Sequence, residues 1–214
     1  MRYEAVERRL AHVPRRLPAG RHELMPEALP EPDGSPPPAP RFPAGPRRQA
    51  AVLILVHPDE HGEAMVVLTK RAAGSHRHAG QVAFPGGALE AGEDPAVGAL
   101  REAAEEVGLD AAVDRISVVA TLAPVDVPVS GFLVHLVIAT AAGPPHIAPD
   151  GHEVVDAFSA PLGAFLPSAP IETVTERRDG FRLRYGAFRA GEHIIWGATA
   201  GILSRLGAFL ADGD

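Results

Sequence analysis

Two continuous apolar runs, Ala50–Val56 and Ala64–Thr69, lie on either side of the polar segment His57–Glu63. Apolar runs of this length that are bounded by turn residues are typical of buried strands. They predict a β-hairpin or two neighbouring buried strands. Two later apolar runs, Ile116–Ala123 and Gly131–Ala139, predict another pair of strands, because proline and glycine residues between them mark a turn.

Two other segments have the spacing and end signals of helices. Asp94 is a favourable N-cap, Pro95 suits the first helical position and Gly108 suits the position just after the end. The first predicted helix therefore covers Pro95–Val107. His193–Leu210 has apolar residues at helical spacing and no proline, so it predicts a closing helix. Strands mixed with a few helices indicate an α/β fold built in layers.

The first 47 residues form a leader that differs from the rest of the chain. Positions 26–46 hold nine of the 22 prolines, and proline fixes φ and lacks an amide donor, so this stretch is predicted to be neither a helix nor a central strand. We favour a stiff linker that joins an N-terminal helix near Tyr3–Val13 to a main domain at 48–214. A polyproline ligand for a partner is the alternative interpretation.

The composition excludes several classes of function. There are 27 acidic and 20 basic residues, and the resulting charge of -7 argues against broad binding to nucleic acid or to an anionic membrane. The absence of cysteine excludes disulfides, Cys-ligated zinc, iron–sulfur clusters and a thiol nucleophile. The N-terminus is charged, and no apolar stretch reaches the roughly 20 residues of a transmembrane helix. We therefore expect a cytoplasmic protein.

The helix predicted over Pro95–Val107 carries the candidate chemistry. Glu102, Glu105 and Glu106 are spaced i, i+3 and i+4, so their side chains share one face. A cluster of carboxylate oxygens is what Mg²⁺ or Mn²⁺ requires, although a solvated acidic face has the same local pattern. Arg101 is placed to pair with Glu105 one turn further on.

The loop before this helix completes a longer pattern. Gly86 and Gly87 allow the backbone to approach its neighbours closely. The pattern resembles the Nudix box, which is the signature of the Nudix hydrolases. The matching positions are Gly87, Glu93, Arg101, Glu102, Glu105, Glu106, Gly108 and Leu109.

The resemblance implies an α/β/α sandwich with a mixed β-sheet, in which the box carboxylates bind divalent cations, Mg²⁺ or Mn²⁺. Arg101 matches a residue that orients the box glutamates, and Glu93 matches a loop glutamate with a supporting role. The metal ligands that the resemblance implies are Glu102, Glu105, Glu106 and the backbone carbonyl of Gly86.

The reaction that the resemblance implies is attack of water on a phosphorus atom of a nucleoside diphosphate linked to another group. Such a reaction needs a general base. Glu153 is our leading candidate, because many Nudix enzymes place a glutamate in a loop of comparable position. Glu105 competes with it, and a metal-bound hydroxide would make either unnecessary. A solvent-exposed loop acid without a catalytic role is the alternative for Glu153.

A second resemblance lies upstream, in the segments 68–72 and 80–87, and it points to the coenzyme A pyrophosphatase branch of the family. Arg71 and Gly80 match the motif of that branch. The second arginine of the motif is replaced by His76, with Arg77 beside it. The resemblance implies that the phosphates of the substrate are bound by Arg71, His76, Arg77, Gly86 and Gly87.

Two smaller clusters each have two interpretations. His76 and His78 form a His-x-His pair, but zinc sites normally need three protein ligands, so contact with phosphate or solvent is favoured. A late strand is predicted at Phe181–Tyr185, and arginines lie in and before it. We favour the solvated face of a hairpin over a contact with the 3′-phosphate of coenzyme A. These arginines are Arg177, Arg178, Arg182 and Arg184.

The sequence thus predicts a metal-dependent hydrolase that cleaves coenzyme A or its thioesters at the diphosphate, which gives adenosine 3′,5′-bisphosphate and 4′-phosphopantetheine or its acyl form. The alternatives are a Nudix pyrophosphatase that acts on ADP-ribose, a dinucleotide or a nucleoside triphosphate, and a nucleotide-binding Nudix module without catalysis. The expected partner is a small molecule, neither nucleic acid nor membrane, and the sequence leaves a homodimer open.

Overall fold

The computed structural model describes residues 1–37, 42–72, 80–178 and 181–212. These ranges form three α-helices, two short 3₁₀ helices and twelve strands. The helices are α1 (Tyr3–Leu10), α2 (Pro95–Val107) and α3 (Gly197–Ala211), and the 3₁₀ helices are His22–Leu24 and Leu162–Phe165. The strands are β1 (Glu27–Leu29), β2 (Arg48–Pro58), β3 (Ala64–Arg71), β4 (Val82–Ala83), β5 (Gly86–Ala88), β6 (Ile116–Thr121), β7 (Val125–Val127), β8 (Phe132–Ala141), β9 (Val154–Pro161), β10 (Glu172–Arg178), β11 (Phe181–Ala190) and β12 (His193–Ile195). In the described part of the chain, no helix is long and apolar enough to span a bilayer.

The central sheet is mixed. Its main order is β4-β3-β2-β8-β6, while β5 adds to β2, β7 adds to β8 and β9 adds to β3. Strands β2 and β8 run parallel over nine residue pairs, and the other pairings of this sheet are antiparallel. The hairpin predicted from the first two apolar runs is confirmed by the pairing of β2 with β3. A second, antiparallel sheet has the order β1-β11-β10, and β12 also pairs with β11.

Alternate residues of β2 face opposite layers of the molecule, as successive side chains of a strand must. Leu53 and Leu55 are fully buried with Ala103 of α2 on one face. Ile54 is fully buried on the other face, in a cluster that includes Leu203 of α3 and residues of α1. Helices therefore cover both faces of the central sheet, and the predicted α/β/α sandwich is confirmed.

The leader packs on the rest of the molecule. Val6 and Leu10 of α1 are almost completely buried in the same cluster as α3, and Leu24 of the first 3₁₀ helix joins them. Strand β1 pairs with β11 at the edge of the second sheet. Because β1 is an edge strand, it is compatible with the neighbouring prolines.

The start of the predicted closing helix is wrong. His193–Ile195 form β12, which pairs with the end of β11, and α3 begins only at Gly197. Trp196 has an extended backbone and Gly197 has φ +66°, so the chain turns sharply between the strand and the helix. The apolar pattern continues across this turn because Ile195 and the inner face of α3 are buried in the same core.

Candidate active site

The position of α2 follows from local signals at both of its ends. The side chain of Asp94 accepts hydrogen bonds from the amides of Ala96 and Val97, at 2.8 and 3.4 Å. Pro95 occupies the first turn, and Gly108 ends the helix with φ +69°. The predicted helix Pro95–Val107 is confirmed at both ends. Its small buried residues hold it close to β2 and β5, so its acidic face lies over the glycine turn before it.

Glu106 is the buried carboxylate of this face, with 5% of its surface exposed. Its Oε2 atom accepts a hydrogen bond of 3.0 Å from the amide of Gly86. Burial raises the pKa of Glu106 to about 7, because the ionised form loses its hydration. The hydrogen bond from Gly86 and the charge of Arg71 oppose this rise, whereas the charges of Glu102 and Glu153 add to it.

The two glycines before α2 are required by close contacts. A Cβ atom at Gly87 would lie 2.2 Å from Oε2 of Glu102. Gly86 has φ +146°, and a Cβ atom there would lie 2.3 Å from the carbonyl oxygen of Ala51 on β2. No larger residue fits either position without moving the strand or the carboxylate.

Arg101 holds three glutamates together. Its guanidinium bonds both oxygens of Glu93, at 2.9 and 3.0 Å, and Oε1 of Glu102 at 2.8 Å. The predicted pair with Glu105 is present at 3.3 Å, but the side chain of Glu105 is 61% exposed. The hydrogen bonds from Arg101, and then the amide of Glu90, lower the pKa of Glu93 to about 2, so Glu93 is ionised at neutral pH.

Arg71, at the end of β3, stands between the box helix and the loop that carries Glu153. Its Nη1 atom lies 3.7 Å from Oε1 of Glu106, and its Nη2 atom lies 3.8 Å from Oε2 of Glu153. The amide of Ala72 donates to the carbonyl of Glu153 at 2.9 Å, and the amide of Gly80 donates to the carbonyl of Arg71 at 3.1 Å. Residues from three separate segments of the sequence therefore meet at one site.

The donor chemistry of this site fits a hard divalent cation. Five carboxylates meet two guanidinium groups, and oxygen donors are what such cations prefer. Glu106 is buried and its pKa is raised. Among the described side chains, the nearest cationic atom to its carboxylate is Nη1 of Arg71, at 3.7 Å. Among the described residues, no three acidic or histidine side chains are already grouped as a metal cage. Arg101 binds Glu102 and Glu105 in the present arrangement.

Some predicted site residues cannot be placed. His76, Arg77 and His78 lie in the segment 73–79, outside the described residues. Three arginines of the late hairpin contact the leader, and Arg177 binds both oxygens of Glu31 at 2.9 to 3.1 Å. Arg184 likewise binds Glu27 and Arg182 binds the carbonyl of Pro30. These arginines therefore lie on a hairpin, but they pair with the leader instead of facing solvent alone.

Asp150 is a residue of this site that the sequence analysis did not single out. Its amide donates to the carbonyl of Glu106 at 2.9 Å, and its side chain accepts hydrogen bonds from the amides around Glu153. The only signal in the sequence is the triplet Pro149-Asp150-Gly151, which is typical of a turn. That signal predicts a turn but does not say which two elements the turn connects.

The comparisons with known proteins agree with this geometry. The family model described as NUDIX domain matches residues 47–179. An uncharacterized Nudix hydrolase NudL from Enterobacter sp. (strain 638) is 38% identical over 162 residues, which cover 75% of this chain and 81% of the relative. The mitochondrial Nudix hydrolase 15 of Arabidopsis thaliana is 35% identical over 170 residues, which cover 74% of this chain and 57% of the relative.

Among solved structures, the Nudix hydrolase RenU from M. smegmatis is similar, with 33% sequence identity and a TM-score of 0.49. The match covers 56% of this chain and 74% of RenU. The family model alone spans more than half of this chain, and it includes the complete box and the strands that hold it. The chain therefore belongs to the Nudix family and is a Nudix hydrolase.

Proposed function

We propose that this Nudix hydrolase cleaves the diphosphate of coenzyme A, and of acyl-CoA, in the presence of Mg²⁺ or Mn²⁺. The products are adenosine 3′,5′-bisphosphate and 4′-phosphopantetheine or its acyl form. One observation carries the proposal. Arg71, the arginine of the motif that resembles the coenzyme A branch, lies beside the box carboxylate Glu106 at 3.7 Å.

Arg71 is suited to bind a phosphate of the substrate. Its guanidinium presents several donors in a plane, and such groups form short, charge-assisted bonds with phosphate oxygens. Its ion pairs with Glu106 and Glu153 are long, at 3.7 and 3.8 Å, and its side chain is 29% exposed. It therefore keeps hydrogen-bonding capacity for an anion that reaches the carboxylate cluster.

The carboxylates need a cation before an anionic substrate can bind. In our proposal Glu102, Glu105, Glu106 and the carbonyl of Gly86 hold it. A bound divalent cation lowers the pKa of water and neutralises the oxygens of a diphosphate. Arg101 donates a hydrogen bond of 2.8 Å to the carboxylate of Glu102, which holds this carboxylate next to Gly87.

Glu153 is suited to take the proton from the attacking water. Its side chain is 68% exposed, so water reaches it, and its contact with Arg71 places it at the edge of the carboxylate cluster. Glu105 is the competing base, but its carboxylate shares a hydrogen bond of 3.3 Å with Arg101. A base has to lie within hydrogen-bond reach of the water it deprotonates, and kinetics of the Gln variants distinguish the two residues.

The proposal is tested by incubating the full chain with coenzyme A and Mg²⁺ or Mn²⁺ and separating the products. We expect cleavage at the diphosphate, no turnover for Glu105→Gln and Glu106→Gln, and full turnover for Glu90→Gln. Glu90 is an exposed acid of the same loop whose side chain makes no described contact with the cluster, so it controls for the loss of one charge.

Three results would contradict different parts of the proposal. If the protein leaves coenzyme A intact but rapidly hydrolyses ADP-ribose, a dinucleotide or a nucleoside triphosphate, the substrate is wrong and the reaction class stands. If Glu105→Gln and Glu106→Gln both retain turnover, the metal site is wrong. If folded wild-type protein cleaves no diphosphate in Mg²⁺ or Mn²⁺, catalysis itself is refuted.

A further inference from the structure

The carboxylate of Asp150 accepts hydrogen bonds from the backbone amides around Glu153. Its Oδ1 atom accepts hydrogen bonds from the amides of His152 at 3.1 Å, Glu153 at 3.1 Å and Val154 at 2.9 Å. Its Oδ2 atom lies 3.2 Å from the same amide of Glu153. These bonds, with that of Val154 first, lower the pKa of Asp150, so the carboxylate is ionised at neutral pH and bonds strongly.

The same residue is attached to the end of the box helix. The amide of Asp150 donates to the carbonyl of Glu106 at 2.9 Å, and two residues earlier the amide of Ala148 donates to the carbonyl of Val107 at 2.8 Å. Carbonyls in the last turn of a helix lack partners within the helix, so the loop binds groups that α2 leaves free. Gly151, with φ +75°, then turns the chain back towards β9.

Few other contacts from the described residues hold Glu153 in place. Its side chain is 68% exposed, and its described ion pair with Arg71 is 3.8 Å long. Its carbonyl accepts the amide of Ala72, which fixes one side of the residue. The bonds to Asp150 fix the other side, and through the amide of Asp150 they connect Glu153 to the carbonyl of Glu106.

We infer that Asp150 is a positioning residue, which holds Glu153 beside Arg71 and Glu106 so that its carboxylate acts on the water. The inference rests on the proposed role of Glu153. Small displacements of a reacting group lower rates steeply, by about a hundredfold for 1 Å. Replacing Asp150 by Ala should therefore lower kcat by about ten- to a hundredfold, with KM changed by less than about threefold, because Asp150 makes no contact with the phosphate-binding Arg71.

The experiment compares Asp150→Ala and Asp150→Asn with a matched control, Asp110→Ala. Asp110 caps a different loop, after α2, by accepting the amides of Ala112 and Val113 at 2.9 and 3.0 Å. Both aspartates are exposed and both have a lowered pKa caused by these backbone bonds. We expect similar losses of Tm for the two Ala variants, a loss of kcat only at position 150, and partial recovery in Asp150→Asn, whose amide oxygen still accepts.

Two readouts separate positioning from a general loss of structure. If Asp150 acts through Glu153, the double variant Asp150→Ala with Glu153→Gln is no slower than Glu153→Gln alone. If the two losses of kcat multiply instead, the inference is overturned. Hydrogen exchange at the amides of residues 152–154 should accelerate at least tenfold in Asp150→Ala but not in Asp110→Ala, and unchanged exchange also overturns it.

Kinetics are measured with Mg²⁺ on coenzyme A. If the wild-type protein hydrolyses ADP-ribose, a dinucleotide or a nucleoside triphosphate instead, that substrate is used, so a wrong substrate does not affect the result. Full activity of Glu153→Gln overturns the positioning role and leaves the metal site untouched. If the wild-type protein cleaves none of these substrates, the proposed function fails. The positioning role of Asp150 then fails with it, whatever the exchange data show about the loop.

Discussion

Replacing Glu106 by Gln should stabilise the metal-free protein at alkaline pH although it abolishes hydrolysis. Glu106 is 5% exposed, and burial raises its pKa to about 7. Glutamine has nearly the same size and its side-chain oxygen still accepts the hydrogen bond from Gly86. It carries no charge, however, so the folded protein no longer has to keep an ionised carboxylate away from water.

The magnitude follows from the linkage between protonation and folding. A carboxyl whose pKa is raised in the folded state contributes most stability below its unfolded pKa of 4.5, and this contribution is lost as the pH rises towards 7. With 1.36 kcal/mol for each pKa unit, the raised pKa of Glu106 costs about 1 kcal/mol of stability at pH 5, where the carboxyl is ionised mainly in the unfolded chain, and about 3 kcal/mol at pH 8. The free energy of unfolding of Glu106→Gln, relative to wild type, should therefore rise by about 2 kcal/mol between pH 5 and pH 8.

Urea unfolding in EDTA at the two pH values measures this difference. The matched control is Glu105→Gln, because Glu105 is 61% exposed and pairs with Arg101 only at the surface, where such a pair contributes about 0.3–0.5 kcal/mol. Adding Mn²⁺ at pH 8 should stabilise the wild-type protein more than Glu106→Gln. A difference from wild type that is the same at pH 5 and pH 8 would refute the reasoning.

Three further changes test other parts of the molecule. Gly87→Ala should displace Glu102 and lower kcat/KM for coenzyme A by at least about tenfold, with product analysis as the measurement; an unchanged rate would mean that the carboxylate moves freely. Arg101→Lys cannot bond both oxygens of Glu93, so Mn²⁺ affinity measured by titration should fall by about tenfold or more. Leu10→Ala should lower the free energy of unfolding in urea by about 2–5 kcal/mol; a loss below 1 kcal/mol would contradict the burial of α1.

The sequence predicts those elements of the fold whose ends are determined by interactions between residues close together in the chain. Asp94, Pro95 and Gly108 determine the ends of α2 through interactions within a few residues. The second sheet is different, because β10 is a largely polar strand without a clear apolar alternation. The hairpin expected at the arginines of positions 177–184 is the pairing of β10 with β11, but the addition of β1 and β12 to β11 cannot be deduced from the composition of the strands.

The same distinction applies to the site. The spacing of Glu102, Glu105 and Glu106 is local, so their common face was predictable from helix geometry. The contact between Arg71 and Glu153 depends on the pairing of β3 with β9, which joins residues about 80 positions apart in the sequence. The burial of Glu106 depends on β5 and its glycines lying against β2, and no property of the helix alone predicts it.

Much of the net acidic charge of the chain lies in the carboxylate cluster of α2 and the loop before it, and the members of this cluster are neutralised to different extents. Arg101 neutralises Glu93 and Glu102 closely, at 2.8 to 3.0 Å. Among the side chains that the structure describes, the positive charge beside Glu106 is that of Arg71, at 3.7 Å. The protein therefore has a buried carboxylate whose ionised form is unfavourable until a positive charge approaches it. A divalent cation that binds there has to displace the proton of Glu106, so its affinity should fall as the pH drops below 7. The burial that weakens the metal-free fold at alkaline pH thus also makes metal binding dependent on pH.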